Sequence, residues 1–246
     1  VVSIGLPLSI PTLGDLSYLQ RLINVLNPDI IWPVTDALGS DVLANAVNPG
    51  TYDAIPSNIT LQDSAFLTGE TVGLWNGTTS YANIYPALTA LAFDPGDKFS
   101  IALFLRKSTW DATQRWFFRI AEDANNEVYI AQLNATQQLF RYRAGGLNKN
   151  VTLTASPVNT WWSAGLTVDT TVGTGEMLAY YNGVQEGATQ TNLGTWVGAL
   201  ASTTCTLGAR STAPINCHSG LLAYCCIAKG VAWTPAQMAL FVPGSG

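Results

Sequence analysis

Four segments in the last third of the chain leave little freedom in how it folds. Ser163-Ala164-Gly165-Leu166-Thr167-Val168-Asp169 alternates apolar and polar residues, the two-residue period of a strand. Met177-Leu178-Ala179-Tyr180-Tyr181 runs into Asn182-Gly183 and leaves through Val184. Asn-Gly between strand formers predicts a tight hairpin, because a type I′ turn needs positive φ at both central residues. Residues 205–211 and 220–227 supply two more strand-like segments. Thr234-Pro235-Ala236-Gln237 then predicts a short closing helix, with Thr at the N-cap, Pro at the first helical position and Gln placed to complete a capping box.

The middle of the chain repeats the strand pattern. Residues 99–105 leave almost no polar face, which predicts a strand buried on both sides. Trp116, Phe118 and Ile120 share one face, as do Val128 and Ile130; Phe140 and Tyr142 lie opposite Arg141 and Arg143. One amphipathic helix precedes them over residues 15–27, where Leu16, Leu19, Leu22, Ile23 and Leu26 recur at helical spacing between an Asp15 N-cap and Pro28. Residues 30–34 and 81–85 read as strands. A chain of 246 residues fits a single β domain. The predicted fold is all-β, a two-sheet antiparallel jelly-roll sandwich with an N-terminal helix and a short C-terminal helix. Residues 1–28 form an apolar arm and helix, and residues 29–246 the jelly roll.

Charge excludes one large class of partners. Only 11% of residues are charged and the net charge is −5, with no basic cluster beyond Arg141 and Arg143, so a nucleic-acid surface is not expected. No apolar stretch is long enough for a membrane helix. Residues 1–14 are apolar but lack the basic start of a signal peptide, and the absence of an initiator Met predicts processing or a longer parent chain. Cys205, Cys217, Cys225 and Cys226 show no metal or redox spacing. Buried free thiols are expected, with one disulfide through Cys205 or Cys217 as the alternative.

The order of several motifs resembles a LamG-like, concanavalin A-like jelly roll. Ile31-Trp32-Pro33-Val34-Thr35-Asp36, Leu74-Trp75-Asn76-Gly77-Thr78-Thr79-Ser80-Tyr81, residues 99–104, Trp161-Trp162-Ser163-Ala164-Gly165-Leu166-Thr167 and Tyr181-Asn182-Gly183-Val184 each resemble a family segment, in family order. With the leading helix, the chain also looks like domains of bacteriophage structural proteins. The resemblance implies a fold that binds, decorates and adheres more often than it catalyses. Members that bind Ca²⁺ carry an acidic pair after the glycine of the penultimate strand; Ala223 and Tyr224 stand there instead. Asp36 and Asp41, with Asn45 and Asn48, are the remaining candidate calcium ligands, and no cofactor is expected.

Catalysis finds little foothold in the residues. The Glu-x-Asp-x-x-Glu pattern of the related glucanases is missing, and Glu122-Asp123 reads as a turn. His218 is the one histidine, expected in a loop or at a strand edge. The chain is therefore expected to be a non-catalytic interaction protein of the virion surface, capsid- or tail-associated, that docks on capsid or tail proteins or on copies of itself. Leu6, Leu8, Ile10, Leu19, Leu22 and Ile23 are the expected docking residues. The alternative is a secreted or cell-surface carbohydrate-binding module, with surface glycans as partners. Trp110, Trp162, Trp196, Arg141 and Arg143 are its candidate ligand contacts.

Overall fold

The computed structural model describes residues 18–36, 40–62 and 72–241. In chain order it contains α1 (Tyr18–Leu26), β1 (Ile30–Trp32), β2 (Ile55–Ser57), β3 (Thr60–Gln62), β4 (Val72–Asn76), β5 (Tyr81–Asn83) and α2 (Tyr85–Ala90). There follow β6 (Phe99–Lys107), β7 (Arg115–Ala121), β8 (Glu127–Asn134), β9 (Gln137–Ala144), β10 (Leu147–Thr154) and β11 (Trp161–Asp169). The chain closes with β12 (Glu176–Tyr181), β13 (Val184–Thr191), β14 (Thr206–Leu207), β15 (Ser219–Lys229) and α3 (Pro235–Met238).

The named strands form two antiparallel sheets packed face to face. One has eight strands in the order β13-β12-β11-β6-β15-β4-β3, with β1 added to β15; the other has seven, in the order β10-β9-β8-β7-β14-β5-β2. The predicted hairpin joins β12 to β13, with φ of 47° at Asn182 and 74° at Gly183. The predicted capping box is also present at Thr234.

The main core lies between the sheets. Ile101, Leu103, Leu105, Leu166, Val168 and Ile227 face Phe118, Ile120, Val128, Ile130 and Phe140 across it. The opposite face of the eight-stranded sheet is also apolar. Ala102, Phe104, Tyr180, Tyr224, Cys226 and Ala228 are buried there under α1, α3 and the C-terminal segment. A sheet whose central strands are apolar on both faces needs a third layer to exclude water from the second face. Tyr18 donates from its hydroxyl to the Leu240 carbonyl at 3.1 Å, and Trp233 Nε1 to the Leu26 carbonyl at 3.1 Å, which ties α1 to the segment around α3.

This layer corrects the docking assignment on the helix. Leu22 is fully buried in the chain's own second core, and Leu19 and Ile23 pack partly against it. The physical reason is the uncovered apolar face beneath them. Leu6, Leu8 and Ile10 lie outside the described residues. Leu22→Ala is expected to cost about 2–5 kcal/mol of unfolding free energy. Urea unfolding checks this; a change under about 0.5 kcal/mol, the level of a free surface site, would mean that α1 does not belong to the core.

Two further local differences have clear causes. Residues 81–85 do not run on as a strand: β5 stops at Asn83, whose Oδ1 accepts from the Tyr85 amide at 3.0 Å, and α2 begins with a proline in its first turn. All four cysteines are buried free thiols. Burial pushes the Cys205 thiol up to about 12 and those of Cys225 and Cys226 well above the ordinary range, so they pack as small apolar groups.

Candidate functional site

The outward face of the seven-stranded sheet carries a polar and charged row that no core requirement explains. Asn150, Arg141, Tyr129, Arg119, Thr206, Asn83 and Ile55 are successive register partners from β10 to β2, so they lie side by side on one face. Strand alternation sets them there, because Phe118, Ile120, Val128, Ile130 and Phe140 turn the other way into the core. Arg143 and Glu127 form the next row. Leu139, Ala131 and Trp116 form the row on the other side.

Arg119 and Arg141 share a single carboxylate. Glu127 Oε2 accepts from Arg119 Nη2 at 3.1 Å and Oε1 from Arg141 Nη1 at 3.3 Å. Arg119 Nη1 also donates to the Arg210 carbonyl at 2.9 Å, and Arg141 Nε to Asn150 Oδ1 at 2.9 Å. The arginines lie over aromatic rings: the Arg141 guanidinium carbon is 5.0 Å from the Tyr129 ring centre, and that of Arg210 is 5.5 Å from the Trp116 ring centre. Trp116 and Tyr129 stack 5.7 Å apart. The aromatic floor fixes the planes of the cations while leaving donors over. Arg119 Nε is buried with no partner among the described residues. Burial raises the Tyr129 phenol pKa, so the ring stays neutral.

Arg119 and Arg141 thus hold one carboxylate between them, with Arg143 beside Glu127 in the register and the Arg210 backbone bonded to Arg119, in a chain of net charge −5. A cationic excess with planar, pre-positioned guanidinium groups suits a carboxylate, which takes two parallel N–H donors from one fork. Arg143 is the least free of the four. Its Nη1 donates to the Ala124 carbonyl and its Nε to the Gly146 carbonyl at 3.4 Å.

The remaining predicted contacts scatter. Trp162 is fully buried and packs on Phe117 at 5.6 Å and Tyr181 at 5.8 Å, so it cannot meet a ligand. Its register partner on β6 is Leu105, which places it in the inward row and turns Trp161 outward. Trp110 is half-buried over Phe117 and Trp162, at 6.3 and 6.4 Å, with its indole N–H buried, and serves the core edge. Trp196 is the tryptophan among the three that lines an open cleft.

Neither the calcium nor the catalytic candidates assemble. Asp36 accepts from the Ala44 amide at 3.2 and 3.3 Å. Asn45 is a buried plug: its Oδ1 accepts from Ile31 and Val47, and its Nδ2 donates to Asp29 and Thr51 carbonyls. Among the described residues no three Asp, Glu, His or Cys groups gather as metal ligands, and Asp41 is exposed. Glu122 and Asp123 sit in a turn, where Asp123 Oδ1 accepts from the Asn125 and Asn126 amides at 2.7 and 2.8 Å. His218 is not at an exposed edge. It is fully buried between Trp75 and Phe117, and burial holds its pKa well below the ordinary value, so the ring is neutral.

No family model and no curated protein sequence matches the chain. Several solved structures share its fold. Domain 4 of the GH43 extracellular arabinanase AbnA from Geobacillus stearothermophilus, in complex with arabinotriose, matches with a TM-score of 0.56 at 17% identity, over 87% of this chain and 98% of that one. The CBM40 of the Ruminococcus gnavus IT-sialidase, bound to α2,3-sialyllactose, matches with a TM-score of 0.56 at 11% identity, over 72% of this chain and all of that one (100%). A mutant Trypanosoma rangeli sialidase matches with a TM-score of 0.64 at 8% identity, over 89% of this chain but 33% of the enzyme's length.

Proposed function

We propose that this chain is a non-catalytic glycan-binding module whose arginine face receives an acidic saccharide. The observation that carries the proposal is the row Arg141-Tyr129-Arg119, with Arg210 beside it and a single carboxylate, Glu127, between the cations. Neighbours of the same fold are described with arabinotriose and with sialyllactose, which supports a saccharide as the ligand class. The arginines of this chain favour the acidic one. A sugar carboxylate would pair with the Arg141 and Arg210 guanidinium groups, whose planes are set by the buried Tyr129 and Trp116 rings beneath them. The virion reading draws no support from these neighbours, and an extracellular setting fits them better.

Calorimetric titration with 3′-sialyllactose and with lactose tests the proposal. Wild type is expected to bind the sialylated sugar and to discriminate against lactose at this face. Arg141→Ala should weaken sialyllactose binding about 10- to 100-fold, the weight of one charged hydrogen-bonded contact. Arg210→Ala should act in the same direction. Sialyllactose affinity unmoved by both substitutions would refute the assignment.

A further inference from the structure

We infer that a cleft beside Trp196 is a second saccharide site, built for an uncharged sugar, at the loop end of the sandwich. The cleft has a volume of about 520 Å³ and is lined by Asp94, Thr170, Thr195 and Trp196 together with glycines. A second hollow of about 370 Å³ shares Asp94 and Gly198 with it and adds Tyr85, Thr89 and Phe93. Each is of the size that small-molecule sites occupy.

The walls have the chemistry of a neutral sugar site. Trp196 is half-exposed and offers ring surface for the C–H face of a pyranose or furanose. Its own position is fixed twice: Nε1 donates to the Gly198 carbonyl at 3.2 Å, and its ring packs on Tyr142 at 6.3 Å. Tyr142 is in turn held by its hydroxyl donating to the Pro95 carbonyl at 3.0 Å. Asp94 Oδ1 accepts from the Gly96 amide at 2.7 Å, which leaves its second oxygen without a partner among the described residues and able to accept from a sugar hydroxyl. Thr170 is anchored through its hydroxyl to the Gly96 carbonyl at 2.8 Å.

The loop is shaped before any ligand arrives. Gly194 and Gly198 have φ of +81° and +87°, and a Cβ on either would lie 2.6 Å from the Ala144 carbonyl oxygen or 2.7 Å from Glu122. The Val197 amide donates to Asn126 Oδ1 at 3.1 Å, and the same oxygen accepts from the Gly145 amide at 3.0 Å, so the loop is pinned to the turns of β8 and β9. A pre-organised site loses less freedom on binding. Charge separates this site from the arginine face: Asp94 lines the cleft, Glu122 lies at its rim, and no Lys or Arg lines it. An acidic sugar is disfavoured here and an uncharged one is not.

The inference does not depend on the arginine face, and one experiment keeps the two apart. In ¹⁵N-labelled protein the Trp196 indole N–H signal is followed during titration with arabinotriose and with lactose. A saturable shift with either sugar is expected, weakened at least tenfold in Trp196→Ala and in Asp94→Ala, kept in Trp196→Phe (the two Trp196 variants being followed through the Val197 and Gly198 amides), and unchanged in Arg141→Ala. No shift with either sugar would overturn the inference, as would binding that survives both the Trp196→Ala and Asp94→Ala substitutions. Loss of sialyllactose binding in Arg141→Ala reports on the other face alone.

Discussion

Lys107→Met is expected to make the protein more stable at pH 7, by about 1–4 kcal/mol, the range seen when buried charges give way to packed apolar groups. Lys107 ends the inward row Phe99, Ile101, Leu103, Leu105 on β6, and it is fully buried. Its amino group lies 5.7 Å from the Trp110 ring centre and 5.8 Å from that of Phe117, and it makes no hydrogen bond among the described residues. Burial, with a smaller push from Arg115, lowers its pKa from 10.5 to about 7. A shift of that size corresponds to about 5 kcal/mol at 1.36 kcal/mol per unit. The unfolded chain binds this proton more readily between pH 7 and 10.5, so wild-type stability rises with pH across that window and is lowest on its acid side. His218, buried and neutral beside it, adds a further loss as pH falls below its ordinary range. The gain from Lys107→Met should therefore be largest near pH 7 and shrink toward pH 10. Urea unfolding at pH 6, 7, 9 and 10 measures it; a destabilised variant, or a difference independent of pH, would contradict an uncompensated buried amine at Lys107.

Trp162→Ala is expected to lose about 3–5 kcal/mol of stability, the range for truncating a large core side chain. For a domain of this size that lowers Tm by roughly 6–20 °C, at about 2–4 °C per kcal/mol. Trp162 is buried on all sides by Phe117, Trp110 and Tyr181, and α/β carbons alone cannot refill that volume. Sialyllactose affinity of the folded protein should stay at the wild-type value. Calorimetric unfolding and the sugar titration together decide between core and contact. A variant of normal Tm that no longer binds sugar would place Trp162 on a ligand surface after all.

How far the sequence reaches depends on the range over which each feature is set. The hairpin at Asn182-Gly183 and the capping box at Thr234 follow from a few adjacent residues, and both are present. The double-sided burial of residues 99–105 also follows from composition alone, although its consequence, a covering layer from α1, did not. The sequence pairs Arg141 with Arg143 on one face, and the structure keeps them there. It cannot show that Arg119, Glu127 and Arg210 join them, because those residues come from three other segments whose meeting depends on cross-strand register. The signal that does exist is alternation: Arg119 sits between Phe118 and Ile120, and Tyr129 between Val128 and Ile130, so both must point outward. Trp161 against Trp162 is a choice of phase, fixed only by pairing with β6. A β-bulge between Trp116 and Phe118 shifts that phase within β7 itself. Helix α2 escaped because its N-cap, Ile84, makes no side-chain capping bond.

The central claim is that guanidinium groups on the outer face of the seven-stranded sheet hold a saccharide carboxylate. It is tested most directly by the arginine Nε–H signals of ¹⁵N-labelled protein during titration with 3′-sialyllactose and, separately, with lactose. The account predicts saturable shifts of Arg119, Arg141 and Arg210 with the sialylated sugar and none with lactose. Unmoved arginine signals at saturating sialyllactose, or equal shifts with both sugars, would contradict it.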